Sequence, residues 1–141
     1  MKIISHRGNI NGPDPRIENN PYHIDFVLNR GIDVEIDLWY VDDNLYLGHD
    51  EPIIPVDINW LIYNKDKLWV HLKNLNAIYS PVIKDLNYFW HENDKFTLTS
   101  KGIPWCFPNV FLETGVTVTL SNKKITKKIL GLCTDYVEDY I

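Results

Sequence analysis

Apolar and polar residues alternate most cleanly over residues 33–41, DVEIDLWYV. Asp33, Glu35, Asp37 and Trp39 share one parity, and Val34, Ile36, Leu38 and Tyr40 share the other. A period of two is the mark of a strand, yet three acids lie along one of its faces. Asp42-Asp43-Asn44 predicts a tight turn. Leu45–Gly48 then returns as a hairpin arm that ends in His49-Asp50.

Shorter apolar runs predict further strands over Lys2–Ser5, Leu68–Leu72, Tyr88–His91, Phe96–Ser100, Pro104–Phe107, Val116–Leu120 and Leu132–Val137. Ile24, Val27 and Leu28 have helical spacing. They predict a helix capped by Asn20, opened by Pro21 and stopped by Gly31. Other helices are expected over Asp57–Tyr63, over Ala77–Leu86 with an interruption at Pro81, and after Ser121 or Asn122 up to Gly131. The first half therefore alternates strand and helix, which argues for parallel β/α units. The second half has strands with little helix between them. No repeat, low-complexity segment or second domain is apparent, so residues 1–141 are expected to form one domain.

Composition narrows the class. The chain has 141 residues, 45% hydrophobic and 23% charged, enough for a folded domain with a core. Its net charge of −5 leaves no basic stripe suited to nucleic acid. Lys123, Lys124, Lys127 and Lys128 form the densest basic cluster and read as a solvated helix face. Cys106 and Cys133 lie in apolar, strand-like settings and suggest buried thiols in a reducing, cytoplasmic compartment. Neither a signal peptide nor a membrane anchor is expected.

The chemistry gathers at strand ends. His6, His71 and His91 fall at or near the C-terminal ends of predicted strands, His49 ends the hairpin arm, and His23 lies in a helix. In parallel β/α sheets and barrels that edge is the active face. Glu35 and Asp37 lie on one side of their strand, about 6.6–7 Å apart. On an exposed strand face such acids cost little. Inside a barrel they would repel and resist desolvation, and a divalent cation would remove both objections; oxygen ligands of this kind suit Mg²⁺ or Ca²⁺. Arg7 offers a planar fork for a phosphate. Lys73 is either a second positive charge on that face or a surface lysine.

Taken in order, His6-Arg7-Gly8, Glu18-Asn19, Glu35-Ile36-Asp37, His49-Asp50, Lys73 and the closing Thr134-Asp135-Tyr136 resemble the glycerophosphodiester phosphodiesterase family. The likeness touches both ends of the chain and suggests a whole, shortened molecule. It implies an α/β fold: a shortened, distorted TIM-type (β/α) barrel lacking several outer helices in its second half. It further implies hydrolysis of a small, glycerophosphodiester-like phosphodiester, with His6 and His49 as acid and base and Glu35 and Asp37 holding the metal. Arg7, Lys73 and Glu18 would bind substrate, and Asn19 is a weaker candidate beside Glu18. Which histidine is the acid stays open.

The chain departs from that pattern in three ways. Such barrels take about 250 residues, so exposed strand faces here would be distorted or covered by a partner, as in a homodimer. The family's acidic ligand two residues before the lysine is replaced by His71. As a neutral ligand it would favour Mn²⁺ or Zn²⁺; otherwise it would only hydrogen-bond substrate. Glu92 or Asp94 could stand in for the missing carboxylate. Finally, the segment after His49-Asp50 is very short. Trp39, Trp90 and Trp105 could line the pocket in its place, though each also suits a core. A rival expectation is a non-catalytic binder of phosphorylated ligands on a degenerated barrel.

Overall fold

The alternating stretches do become strands. The computed structural model, which describes residues 1–141, joins ten of them in one sheet. They are β1 (Lys2–His6), β2 (Asp33–Val41), β3 (Asn44–Leu47), β4 (Ile54–Pro55), β5 (Leu68–Leu72), β6 (Asn87–Phe89), β7 (Phe96–Leu98), β8 (Pro104–Cys106), β9 (Val116–Thr119) and β10 (Gly131–Thr134). The parallel strands follow the order β6-β5-β2-β1-β10-β9-β8. β7 runs back antiparallel beside β8, and β3 and β4 form an antiparallel arm on the upper part of β2.

The sheet curls into an open half-barrel. β6 has a ladder only with β5, so the ends of the sheet do not pair strand to strand. Ser100 spans the gap instead. Its N–H donates to the Tyr88 carbonyl at 2.7 Å, and its hydroxyl accepts from the Tyr88 N–H at 3.1 Å and donates to the Leu86 carbonyl at 3.1 Å.

Two helices back the first half, α1 (Pro21–Asn29) and α2 (Ile58–Asn64). Asn20 caps α1 by accepting from the Tyr22 N–H, and Asp57 caps α2 by accepting from the Asn59 N–H. Their apolar faces supply Ile24, Val27, Leu28 and Leu61. These pack on Val34, Ile36 and Leu38 of β2 and Leu68, Val70 and Leu72 of β5. Burying each such side chain stabilises by about 1.5–3 kcal/mol. The other parity faces inward. There Ile4, Trp69, Phe89, Trp105, Val116, Val118 and Cys133 form a second core, with Phe89 and Trp105 stacked at 4.4 Å between ring centroids. Both cysteines are buried free thiols.

The second half departs from expectation. Residues 77–86 form no α-helix but two 3₁₀ turns, Leu75–Tyr79 and Ile83–Asp85. Pro81 explains this: it lacks an N–H and holds the preceding Ser80 in an extended conformation at ψ 148°. The lysine-rich stretch after Ser121 is also irregular rather than helical. A short helix there would need a packed face to offset its nucleation cost, and of Ile125, Ile129 and Leu130 only Ile129 is buried. Tyr140 takes up its backbone instead, its hydroxyl accepting from the Ile125 N–H at 3.0 Å. β6 and β10 each stop short of the expected strands, at Phe89 and Thr134. No helix is long and apolar enough to cross a membrane.

Candidate active site

Strand register brings the charged residues together. β1 sets His6 beside Glu35, and β5 sets His71 beside Asp37. At the end of β1 the chain turns through Arg7 and Gly8, both at positive φ (56° and 92°), while the Arg7 N–H still donates to the Glu35 carbonyl at 3.0 Å. A Cβ at Gly8 would come within 3.3 Å of the His23 ring, whose Nε2 lies 2.9 Å from the Gly8 carbonyl. His23 thus braces the turn that carries Arg7.

Glu35, Asp37 and His71 can hold a metal ion. Their ligand atoms all lie within 4.8 Å of one another. His71 Nδ1 is 3.4 Å from Asp37 Oδ1 and 3.9 Å from Glu35 Oε1. The other ring nitrogen, Nε2, is 3.0 Å from the His91 carbonyl. A carbonyl only accepts, so Nε2 carries the proton. Nδ1 is the ring nitrogen on the side of the two carboxylates, and the Nε2 contact to a backbone carbonyl fixes the ring plane, as outer partners of metal-ligating histidines do. Glu35 Oε2 and Asp37 Oδ1 are buried without a hydrogen-bond partner. Buried acceptors are rarely left so. One ligand atom from each of Glu35, Asp37 and His71 can reach a single divalent cation, so the donor set fits such an ion.

The two acids are not equivalent. Burial and the neighbouring Asp37 raise the Glu35 pKa. Burial opposes ionisation of Asp37 as well. There, however, His71, Arg7, the Asn19 hydrogen bond and Lys73 outweigh it and hold the carboxyl well below its usual range. Asn19 clasps Asp37 twice: its Nδ2 donates to Oδ2 at 2.9 Å and its Oδ1 accepts from the Asp37 N–H at 2.9 Å. Arg7 Nε is 3.1 Å from Asp37 Oδ2, and Lys73 Nζ is 3.8 Å from Oδ1. Glu18 stands 3.5 Å from Arg7 Nη1. Asn19, the weaker sequence candidate, is therefore the one that touches the acid cluster itself, and Glu18 acts one step away through Arg7.

His6 is held by a residue that the motifs located without giving it a role. Its Nδ1 lies 2.8 Å from Asp135 Oδ1, just past β10. The carboxylate accepts, so Nδ1 carries a proton and Nε2 faces Glu35 Oε2 at 3.9 Å. Burial would lower the His6 pKa, but the Asp135 hydrogen bond and the charge of Glu35 outweigh it and the value rises. Asn9, fully buried, donates through Nδ2 to Asp135 at 2.7 Å and to Glu18 at 2.9 Å. It links the His6 and Arg7 supports. Nothing in a Gly- and Pro-rich loop marks Asn9 in advance, whereas Asp135 was visible within Thr-Asp-Tyr.

His49 arrives by the hairpin. The Gly48 N–H donates to the Asp37 carbonyl at 3.2 Å, and Trp39 Nε1 donates to the Gly48 carbonyl at 2.7 Å, pinning the arm over β2. A Cβ at Gly48 would overlap the Glu51 carbonyl, so the turn requires glycine. The His49 side chain is 43% exposed, with Nδ1 2.8 Å from Asp50. Partial burial and the nearby Arg7 lower its pKa.

His6, Arg7, Glu35, His49 and His71 open on one cavity of about 220 Å³. Its opposite wall is apolar, formed by Trp105, Phe107, Val118 and Leu120. Trp105 is thus both core and pocket lining, whereas Trp39 and Trp90 do not line the cavity. Glu92 lies at its rim, exposed, and Asp94 contributes only its carbonyl, to His91. No protein-family model, curated protein or solved structure matches the chain.

Proposed function

We propose that this site cleaves a small phosphodiester by metal-assisted hydrolysis, on a reduced TIM-type barrel related to the glycerophosphodiester phosphodiesterases. One observation carries the reading: His6, His49 and Arg7 share a cavity with Glu35 and His71, two members of a cluster whose Glu35 Oε2 and Asp37 Oδ1 are buried and unpartnered. The order of motifs along the chain supports it.

Glu35, Asp37 and His71 would hold the metal. When bound, it would supply Lewis-acid stabilisation of charge on the nonbridging phosphate oxygens. Arg7 donates through Nη1 to Glu18 and pairs by charge with Asp37, its buried Nε making no hydrogen bond, which holds the guanidinium and leaves other N–H donors for the phosphate. Lys73 adds a second positive charge. Asp135 and Asn9 hold His6 with Nε2 toward the cavity, where it can give or take a proton. His49, on the hairpin arm beside the same cavity, is the complementary group. One histidine removes the proton of the attacking hydroxyl as its oxygen bonds to phosphorus. The other returns a proton to the departing oxygen as its bond to phosphorus breaks.

The test is turnover of bis(p-nitrophenyl) phosphate with added Mg²⁺, Ca²⁺ or Mn²⁺. EDTA should abolish it, and His6→Ala and His49→Ala should each lower it by at least about 10²-fold. Turnover unchanged in both variants would overturn the proposal. Saturable binding of a phosphate ester without turnover would make the protein a ligand-binding relative instead.

A further inference from the structure

The N-terminal ends of the strands form a second mouth, at the far end of the half-barrel from the histidines. Lys2 of β1, Asp33 of β2, Trp69 of β5, Asn87 of β6, Val116 of β9 and Gly131 of β10 surround a cavity of about 280 Å³. It lies at the opening of the sheet, where Lys101 and Ile103 from the β7–β8 turn face Asn87 without a ladder between them. That is small for a ligand pocket, with room for one fused ring and not for a lipid chain or a peptide.

The polar groups of this mouth are unequally satisfied. Asp33 Oδ2 accepts from Lys2 Nζ at 2.7 Å and from Trp69 Nε1 at 3.0 Å. Asn87 is only 5% exposed, yet its Oδ1 is buried with no hydrogen-bond partner. A buried amide oxygen left this way is unfavourable unless a ligand or water meets it. Around it the walls are apolar, from Leu68, Trp69, Ile103, Val116 and Leu130. An asparagine amide presents an acceptor beside a donor. Its complement is a ring edge with a donor beside an acceptor, the edge that adenine offers through N6 and N7.

We propose that this mouth is a binding site for a purine-type heterocycle. The ring lies against the apolar wall and pairs edge-on with the Asn87 amide. Exposed Lys101 at the rim receives an anionic substituent when the purine carries one. The site is separate from the phosphodiester chemistry and does not depend on it.

Titration of the full chain with adenine, and in parallel with AMP, followed by ¹H–¹⁵N NMR, tests this. Saturable shifts of the Trp69 indole N–H and Asn87 side-chain amide are expected at micromolar to millimolar adenine. Tighter binding of AMP would identify a nucleotide held through Lys101, and equal binding would identify the base alone. Asn87→Leu should weaken adenine at least about tenfold, since it removes the only paired polar edge. It should leave phosphodiester turnover unchanged. Ile103→Trp, which fills the cavity, should abolish binding and carries the test if Asn87→Leu fails to fold. His6→Ala should bind adenine like the wild type, so failure here and failure of the phosphodiesterase reading are separable. No saturable shift at millimolar adenine, or equal binding by both cavity variants, would overturn the site.

Discussion

Asp33 and Asp37 lie on one face of β2, at its start and its middle, four residues apart, and both are buried. Their surroundings differ. Asp33 has a matched set of donors, with Lys2 and the Trp69 indole on one oxygen. Asp37 has the Asn19 amide as donor on Oδ2 and a buried, unpartnered Oδ1 that lies 3.4 Å from His71 Nδ1, and Glu35 Oε2 is buried and unpartnered as well. The lower acid is complete as it stands and ties strands β1, β2 and β5 together. The upper pair keeps buried, unsatisfied oxygens within a cluster that can hold a metal ion. Burial alone does not separate a structural carboxylate from a functional one; the count of unsatisfied oxygens does.

The largest effects should fall on the upper end. Excess Mn²⁺ should raise the melting temperature of the wild type by several degrees, since a ligand at a hundredfold excess over Kd adds about 2.7 kcal/mol. Asp37→Asn and Glu35→Gln should lose most of that gain and nearly all turnover. Calorimetry that finds the full gain in both variants would erase the distinction between the two ends.

Asp135→Asn comes next. It keeps the shape and an acceptor for His6 but removes the charge. Turnover should drop by roughly 10- to 100-fold, the scale on which partners that orient reactive groups act. The substitution also has a pH signature. Because the His6 pKa is raised above its ordinary 6.5, its contribution to stability is whole below about pH 6.5 and fades as pH rises through the folded value. Urea midpoints in EDTA should show that loss in the wild type and a flatter slope in Asp135→Asn. Parallel slopes would mean that Asp135 does not hold the proton on His6.

Asp33→Asn should cost about 1 kcal/mol of stability and leave turnover unchanged. An amide oxygen still accepts from Trp69, and the half-exposed Lys2 is screened by solvent. A large activity loss would mean that the lower acid communicates with the site. The smallest effect is expected at Arg16, whose side chain is 87% exposed and paired only with Asp14. Arg16→Ala should change neither melting temperature nor turnover.

Much of the first half was legible in the chain. The parity of β2, the Asn20 cap and Pro21 start of α1, and the Asp42-Asp43-Asn44 turn are local signals, and each appears where the pattern puts it. The second half was less legible. Strands of three or four residues carry little periodicity, and the lysine-rich stretch has helix spacing without a surface to pack on. The expected half-bare barrel is present as an open, curled sheet with two helices, both in the first half.

The sequence by itself determined which side of β2 would be acidic and that His6, His49 and His71 would stand at strand or hairpin ends, because side-chain direction along a strand follows from parity alone. Only the tertiary structure decided that Asp33 is satisfied while Glu35 and Asp37 are not. It also decided that Asp135 and Asn9, more than a hundred residues apart in sequence, support His6 together. Hydrogen-bond saturation depends on which strands become neighbours and in what register, and that pairing is set by packing across the whole sheet.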